Sequence, residues 1–104
     1  MQGSWMVAAF RDNEYTAANC DVAVLPKSGD GTRVSIYNGL GWAADANGSH
    51  TEEAWKLLEY LGSEEAQKRQ AELGVTMSAY KGTSDTWVSC APEFHLQALL
   101  DMSE

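Results

Sequence analysis

The sequence predicts an α/β fold with few strands and three to four helices, and it predicts a part of a larger protein. In the first half of the chain, short apolar segments alternate with turns, while the second half has apolar residues at helical spacing. The strand-like segments are too few to close a doubly wound sheet. With 104 residues the chain has the length of one domain, and two full domains do not fit.

The first elements are a short helix, a loop and a strand. Ser4 is suited to cap a helix that ends near residue 11, because its hydroxyl can accept a backbone N–H that has no partner in the first turn. The polar residues 12–19 predict a loop. Residues 21–26 predict a short buried strand, which ends at Pro26 because proline has no N–H for a strand ladder.

A turn and two further extended segments follow. Residues 27–32 combine Gly with Asp and Ser, all of which favour turns. Residues 33–37 alternate apolar side chains with polar or aromatic ones, as a half-buried strand does. The Asn-Gly-Leu-Gly stretch at 38–41 interrupts this pattern, and extended structure resumes over 42–46.

Helical spacing dominates the second half. One predicted helix, capped by Ser49 or Thr51, ends at Gly62 and has an apolar stripe made of Ala54, Leu57, Leu58 and Leu61. The next helix begins at Ser63, whose two following glutamates suit the positive end of a helix dipole, and it ends at Leu73.

The last thirty residues predict an extended segment, a loop and a final helix. The extended segment covers 75–80 and the loop covers 81–85. Pro92 suits the first turn of the final helix, because a helix does not use the N–H that proline lacks there.

Charge and cysteine content argue against nucleic-acid binding, membrane binding and metal binding. Seven Lys and Arg against fifteen Asp and Glu give a net charge of −8, which repels nucleic acid and anionic membranes. Cys20 and Cys90 are far apart in sequence, and no metal-ligand spacing involves them or either histidine. The sequence therefore predicts no metal and no cofactor, and it leaves the two thiols either paired or free.

No catalytic constellation is present in the sequence. The glutamate pairs lie at predicted helix starts, where the dipole explains them. His95 near Cys90 could suggest a thiol nucleophile, but a solvated or core histidine is the more common role of such a residue. A hydrolase acting on sugars would need two carboxylates flanking a bond, for which Asp45 and Asp85 are conceivable. We therefore predict that the chain is not an enzyme.

Aromatic residues at the ends of predicted elements point to a ligand. The chain has four Trp and four Tyr, and Trp5, Tyr37, Trp42 and Tyr80 border turns or glycines. Indole and phenol rings pack on the C–H faces of sugars, and an amide such as that of Asn38 can bond sugar hydroxyls. Glycine allows close approach of backbone to a ligand.

An ordered series of short motifs resembles the later part of family 1 extracellular solute-binding proteins, the group that includes maltose-binding protein. The series comprises Gly3-Ser-Trp5, Asp21-Val-Ala-Val-Leu-Pro26, Tyr37-Asn-Gly-Leu-Gly-Trp42, Glu53-Ala-Trp-Lys-Leu-Leu-Glu-Tyr-Leu61 and Ser63-Glu-Glu-Ala-Gln67. The resemblance covers Gly3 to about Tyr80.

This resemblance implies a fragment of a two-lobed, type II periplasmic-binding-protein-like fold. Residues 1–32 would form a piece of one lobe, and 33–41 a strand that crosses the hinge. Residues 42–74 would form a piece of the second lobe, and 75–104 the return crossing and terminal helix. Because such a piece leaves apolar faces without partners, we expect the fragment to self-associate, to swap elements with a second copy or to pack in a non-native arrangement.

The resemblance also implies a function and a site. It implies the sugar- or oligosaccharide-binding component of an ABC transporter, whose partners are a sugar ligand and the transporter permease. The parent protein would be extracellular, either periplasmic or anchored by a lipid, although no export signal is visible in this sequence. The implied ligand-binding residues are Trp5, Tyr37, Asn38, Gly39, Leu40, Gly41 and Tyr80.

A different class of function fits the missing export signal. A small acidic cytoplasmic interaction domain could use its final helix as a docking face. A longer reading frame with an export signal would favour the transporter hypothesis over this one.

Overall fold

The computed structural model describes residues 2–102 and contains one 3₁₀ turn followed by six α-helices. The 3₁₀ turn is Ser4–Met6, and the helices are α1 Val7–Arg11, α2 Glu14–Asn19, α3 Thr51–Leu61, α4 Glu64–Glu72, α5 Ser84–Val88 and α6 Gln97–Asp101. No β-strand occurs in this described range. None of its helices has the length and apolar character that crossing a bilayer needs.

The hydrophobic core forms around Trp87 of α5. Its side chain is fully buried in a cluster with Val7, Ala71, Ala91, Phe94 and Leu96. Ala71 and Ala91 are also fully buried, and their small side chains leave room for the indole. The core therefore joins the first helix to α4, α5 and the segment that precedes α6.

The α3–α4 hairpin follows the sequence prediction closely. α3 ends at the predicted Gly62, and the Ser63 hydroxyl caps α4 by accepting the Ala66 N–H at 3.2 Å. Gly74, the residue after the C-cap Leu73, has a φ of +74°, which strains any residue with a β-carbon. The predicted end of α3 at Gly62 and the predicted start of α4 at Ser63 are confirmed, whereas the predicted cap of α3, Ser49 or Thr51, is wrong.

Gln67 of α4 connects the hairpin to the chain that follows it. Its side chain is buried, its Nε2 donates to the Leu61 carbonyl at 2.8 Å, and its Oε1 accepts the Ala79 N–H at 3.0 Å. One amide thereby gives a partner to a carbonyl at the end of α3 and to a backbone N–H of the segment that follows α4.

Residues 26–50 are exposed throughout, and they include two of the predicted strands. Val34, Ile36 and Leu40 are 79%, 86% and 96% exposed. The radius of gyration is 16.5 Å, compared with about 13 Å for a compact chain of this length. A strand needs a neighbour to accept and donate its backbone hydrogen bonds, and the described chain offers none here, so the prediction of few strands is not confirmed.

Several local predictions were wrong. Within the predicted loop at 12–19, Glu14–Asn19 form α2, because the Asn13 side chain accepts the Thr16 N–H at 3.1 Å and starts the helix. The predicted loop at 81–85 ends in the first residues of α5. The final helix begins at Gln97 rather than at Pro92, since turns occupy 92–94. The N-cap of α3 is His50 rather than Ser49 or Thr51, and the His50 side chain makes no capping hydrogen bond.

Two polar contacts bring distant parts of the chain together. Arg11 Nη1 donates to the carbonyls of Leu73 at 3.3 Å and Cys90 at 3.4 Å. The Asp21 carboxylate accepts the His95 backbone N–H at 2.8 Å and also contacts the His95 ring nitrogen Nδ1. The first contact holds α1 against the ends of α4 and α5, and the second holds the start of the exposed segment against the C-terminal part.

We predict opposite effects for matched substitutions of two neighbouring glutamines. Gln67→Met removes two hydrogen bonds and should lower the free energy of unfolding by about 2 kcal/mol. Gln70→Met is the control, because the Gln70 Nε2 is buried without a partner in the described structure, so an apolar replacement should be neutral or stabilising. Urea denaturation measures both values, and equal losses in the two variants would contradict this account.

We predict that the Asp21–His95 contact makes stability depend on pH. The hydrogen bonds from the His95 and Val22 N–H groups lower the pKa of Asp21 to about 2, below an ordinary value of about 3.9. Because the folded pKa is depressed, this contribution is present above about pH 4 and is lost as the pH falls through about 2. Asp21→Asn should therefore lower Tm at pH 6, and the difference from wild type should shrink as the pH falls below about 4 and vanish below about 2.

Asp30 provides the control for this titration. Its pKa is also lowered to about 2, by hydrogen bonds from Ser28 and Thr32, but these bonds lie within one exposed turn. Asp30→Asn should therefore change Tm much less than Asp21→Asn does. A larger effect of Asp30→Asn would show that the long-range contact is not what stabilises the fold.

Candidate functional site

Trp5 presents an indole ring at the N-terminal end of the core. It lies in the 3₁₀ turn, and its side chain is 63% exposed although the neighbouring Val7 is buried. The ring covers Gly3 so closely that a β-carbon there would lie 2.1 Å from a ring carbon. Gly3 therefore leaves the space that the ring occupies beside the backbone.

The second predicted group, residues 37–41, lies in the exposed segment. Tyr37 is 88% exposed and Leu40 is 96% exposed. A β-carbon placed on Gly39 or Gly41 would meet no atom within 4 Å, and neither glycine has a positive φ. In this structure the two glycines are thus neither turn residues nor points of close backbone contact.

The third predicted residue, Tyr80, lies at a turn beside α4. Its backbone N–H donates to the Ser78 hydroxyl at 3.2 Å, and its carbonyl accepts the Thr83 hydroxyl at 2.7 Å. The phenol is 43% exposed. The pKa of Lys68 on α4 is raised, mainly by its hydrogen bond to Glu64.

No hydrogen bond or ion pair of the described residues joins Trp5, the segment 37–41 and Tyr80 to one another. Surface depressions occur instead along α3 and α4, and they are lined by Thr51, Glu52, Trp55, Lys56 and Glu59 in one case and by Tyr60, Glu65, Lys68, Arg69 and Glu72 in the other. The predicted ligand-binding residues line neither of them.

Trp55 of α3 is a further exposed aromatic residue, and it is not among the predicted ligand-binding residues. It is 61% exposed, and its Nε1 donates to Glu59 Oε1 at 3.1 Å. The signal was present in the sequence, because a tryptophan followed four residues later by glutamate places both side chains on one helix face. The exposed indole makes Trp55 a useful comparison for Trp5.

The residues considered for catalysis and metal binding have local roles in this structure. Asp45 Oδ1 accepts the Asn47 N–H at 2.9 Å within a turn, and the Asp85 carbonyl accepts the Ser89 hydroxyl at 3.0 Å within α5. Cys20 and Cys90 are free thiols, and burial raises the pKa of Cys90. No cluster of three or more His, Cys, Asp or Glu suited to a metal occurs in residues 2–102.

Comparison with known proteins gives one match. A family model described as bacterial extracellular solute-binding protein matches residues 1–68 of the 104. The matched stretch includes Trp5 and the segment 37–41, whereas Tyr80 lies outside it. No curated protein and no solved structure matches the chain.

We predict that Gly3 determines the position of the Trp5 ring. In Gly3→Ala, the new β-carbon collides with the ring, which is the far end of a flexible side chain and can rotate away. Stability should therefore change by less than about 0.5 kcal/mol, while the Trp5 indole N–H resonance shifts and its contacts with residue 3 disappear in NMR spectra. Gly39→Ala, where the new β-carbon meets open space, should leave that resonance unchanged. An undisturbed Trp5 in Gly3→Ala would contradict the geometry.

Proposed function

Since the chain belongs to the bacterial extracellular solute-binding protein family, and is thus a solute-binding protein of the ABC transporter type, we propose that its solute is a sugar or oligosaccharide. The observation that supports a carbohydrate ligand is the exposed indole of Trp5, held over Gly3 at the edge of the core. An aromatic face of this kind matches the apolar C–H face of a sugar ring.

The segment 37–41 supplies the complementary polar groups in this proposal. Asn38 and the neighbouring backbone amides have no partner in the described structure, so they are free to bond sugar hydroxyls. Tyr37 offers a second exposed aromatic ring. Tyr80 would complete the ligand-binding set from the C-terminal side.

In this proposal the chain contributes to two lobes of a larger clamshell. Residues 1–32 would belong to one lobe and 42–74 to the other, with 33–41 crossing between them and 75–104 returning. The absence of regular structure over residues 20–50 is consistent with this division, because a segment that crosses between lobes pairs with strands of both.

The mechanism is binding followed by closure. Stacking and hydrogen bonds hold the sugar, and closure of the lobes around it shifts the population toward a form that the transporter permease recognises. The protein would act outside the cytoplasm, either free in the periplasm or anchored to the membrane by a lipid. The alternative of a cytoplasmic interaction domain is not favoured by the family match.

We predict that sugars perturb the Trp5 indole selectively. Each tryptophan has one indole N–H resonance, so a titration with a panel of mono- and oligosaccharides can follow all four separately by ¹⁵N NMR. The Trp5 resonance should shift in a saturable manner, while that of the fully buried Trp87 should not.

Two tryptophan variants test whether Trp5 is the residue that binds the sugar. Trp5→Ala should weaken binding by about tenfold, equivalent to about 1.4 kcal/mol, because it removes one stacking face. Trp55→Ala removes an equally exposed indole from α3 and should leave the affinity unchanged. If Trp55→Ala abolishes binding and Trp5→Ala does not, the site lies on α3 rather than at Trp5. If no sugar shifts the Trp5 resonance at any concentration up to the millimolar range, the proposed carbohydrate ligand is wrong for this chain.

A further inference from the structure

The segment 34–42 has an apolar pattern that nothing in the described structure covers. Its even-numbered positions are Val34, Ile36, Asn38, Leu40 and Trp42, so four of the five are large apolar residues at the period of a strand. The four apolar side chains are between 62% and 96% exposed. A single apolar face of this kind is expected to be buried against a partner.

The backbone of this segment is equally unpaired. No N–H or C=O of residues 34–42 takes part in a hydrogen bond with another residue of the described chain. All of its residues have negative φ, including Gly39 and Gly41, so the backbone can enter a strand ladder without crossing into the left-handed region. Unpaired backbone beside an apolar stripe is a template for strand addition.

We propose that this segment pairs with the same segment of a second copy as a two-stranded antiparallel ladder centred on Asn38. In that register the residue numbers of opposite positions add up to 76. Val34 then lies opposite Trp42 of the other copy, and Ile36 lies opposite Leu40. The proposal is independent of the sugar ligand and adds an interaction surface to the proposed function.

The register is self-complementary on both faces. On the apolar face, each large side chain meets a large apolar neighbour, and such aromatic–β-branched and aliphatic pairs stabilise antiparallel sheets. The two Asn38 amides meet at the twofold axis, where each can donate to the other. On the opposite face Tyr37 lies across from Gly39, so its ring can cover the backbone that glycine leaves bare.

Charge favours a second copy over a nucleic acid or a basic protein as the occupant. The chain has a net charge of −8, yet residues 34–44 contain no charged side chain, so two copies can approach along this segment without placing acids opposite one another. A basic partner would find no carboxylate to bind here.

The area of the ladder indicates a weak dimer. The pairing of nine residues per copy buries roughly 1,000 Å² in total, which is at the low end of specific interfaces. The long-range repulsion between two acidic molecules opposes association and is screened by salt. We therefore expect a reversible dimer that is strengthened by salt.

Sedimentation velocity of the full chain over a range of concentrations and salt tests the proposal. The wild type should show a monomer–dimer equilibrium that shifts toward dimer when NaCl is raised. Ile36→Lys should weaken association at least tenfold, because it places two charges on the apolar face of the dimer. Leu57→Lys is the matched control, since it makes the same charge change at an exposed leucine of α3 and should leave association unchanged.

Cysteine cross-linking tests the register in a Cys20→Ser/Cys90→Ala background. Asn38→Cys places two thiols opposite each other at the axis, within the Cα separation that a disulfide accepts, and should give a covalent dimer on mild oxidation. Ala44→Cys is the control, because its two copies would lie about 40 Å apart along the ladder and should not cross-link.

Three results would overturn the proposal. One is a wild-type chain that stays monomeric at every salt and protein concentration. Another is dissociation by Leu57→Lys rather than by Ile36→Lys. The third is equal cross-linking at positions 38 and 44. None of these results bears on whether Trp5 binds sugar, so the two proposals fail separately.

Discussion

The burial of one indole, that of Trp87, organises the described fold. Helices of only five residues are unstable alone, so α1, α5 and α6 depend on packing around this side chain and its cluster. The Arg11 contacts to two carbonyls close one side of the cluster. The burial leaves the Trp87 Nε1–H without an acceptor among the described residues, a cost that the apolar contacts of the ring must exceed.

The sequence predicted the α3–α4 hairpin because its signals are local. The Ser63 cap, the apolar spacing and Gly74 after the C-cap all lie within or directly beside the helices that they define. The role of Trp87 was not predicted, because a five-residue helix is too short to show a period and its partners lie far away in sequence. The helix α2 was missed since its single cap, Asn13, lies in a polar stretch that resembles a loop.

The predicted strands show a different limit of prediction from the sequence. Alternation of apolar residues indicates that a segment can pair, but the partner is a property of the whole fold and not of the segment. The same reasoning applies to the site. Trp5 and Gly3 could be identified together because they lie two residues apart and touch, whereas the distances from Trp5 to residues 37–41 and Tyr80 are set by the tertiary fold.

The segment 34–42 therefore links the two proposals through one residue, Asn38. In the proposed sugar site its amide would bond a hydroxyl, and in the proposed ladder it would meet its own copy at the twofold axis. An asparagine amide has two N–H donors and an acceptor oxygen, so one contact does not exclude the other and the two proposals remain separate. Neighbouring lobes that supply strand partners for 34–42 would take the place of the second copy in the ladder. Under both proposals, the partner that pairs with this backbone decides which face of the segment stays exposed.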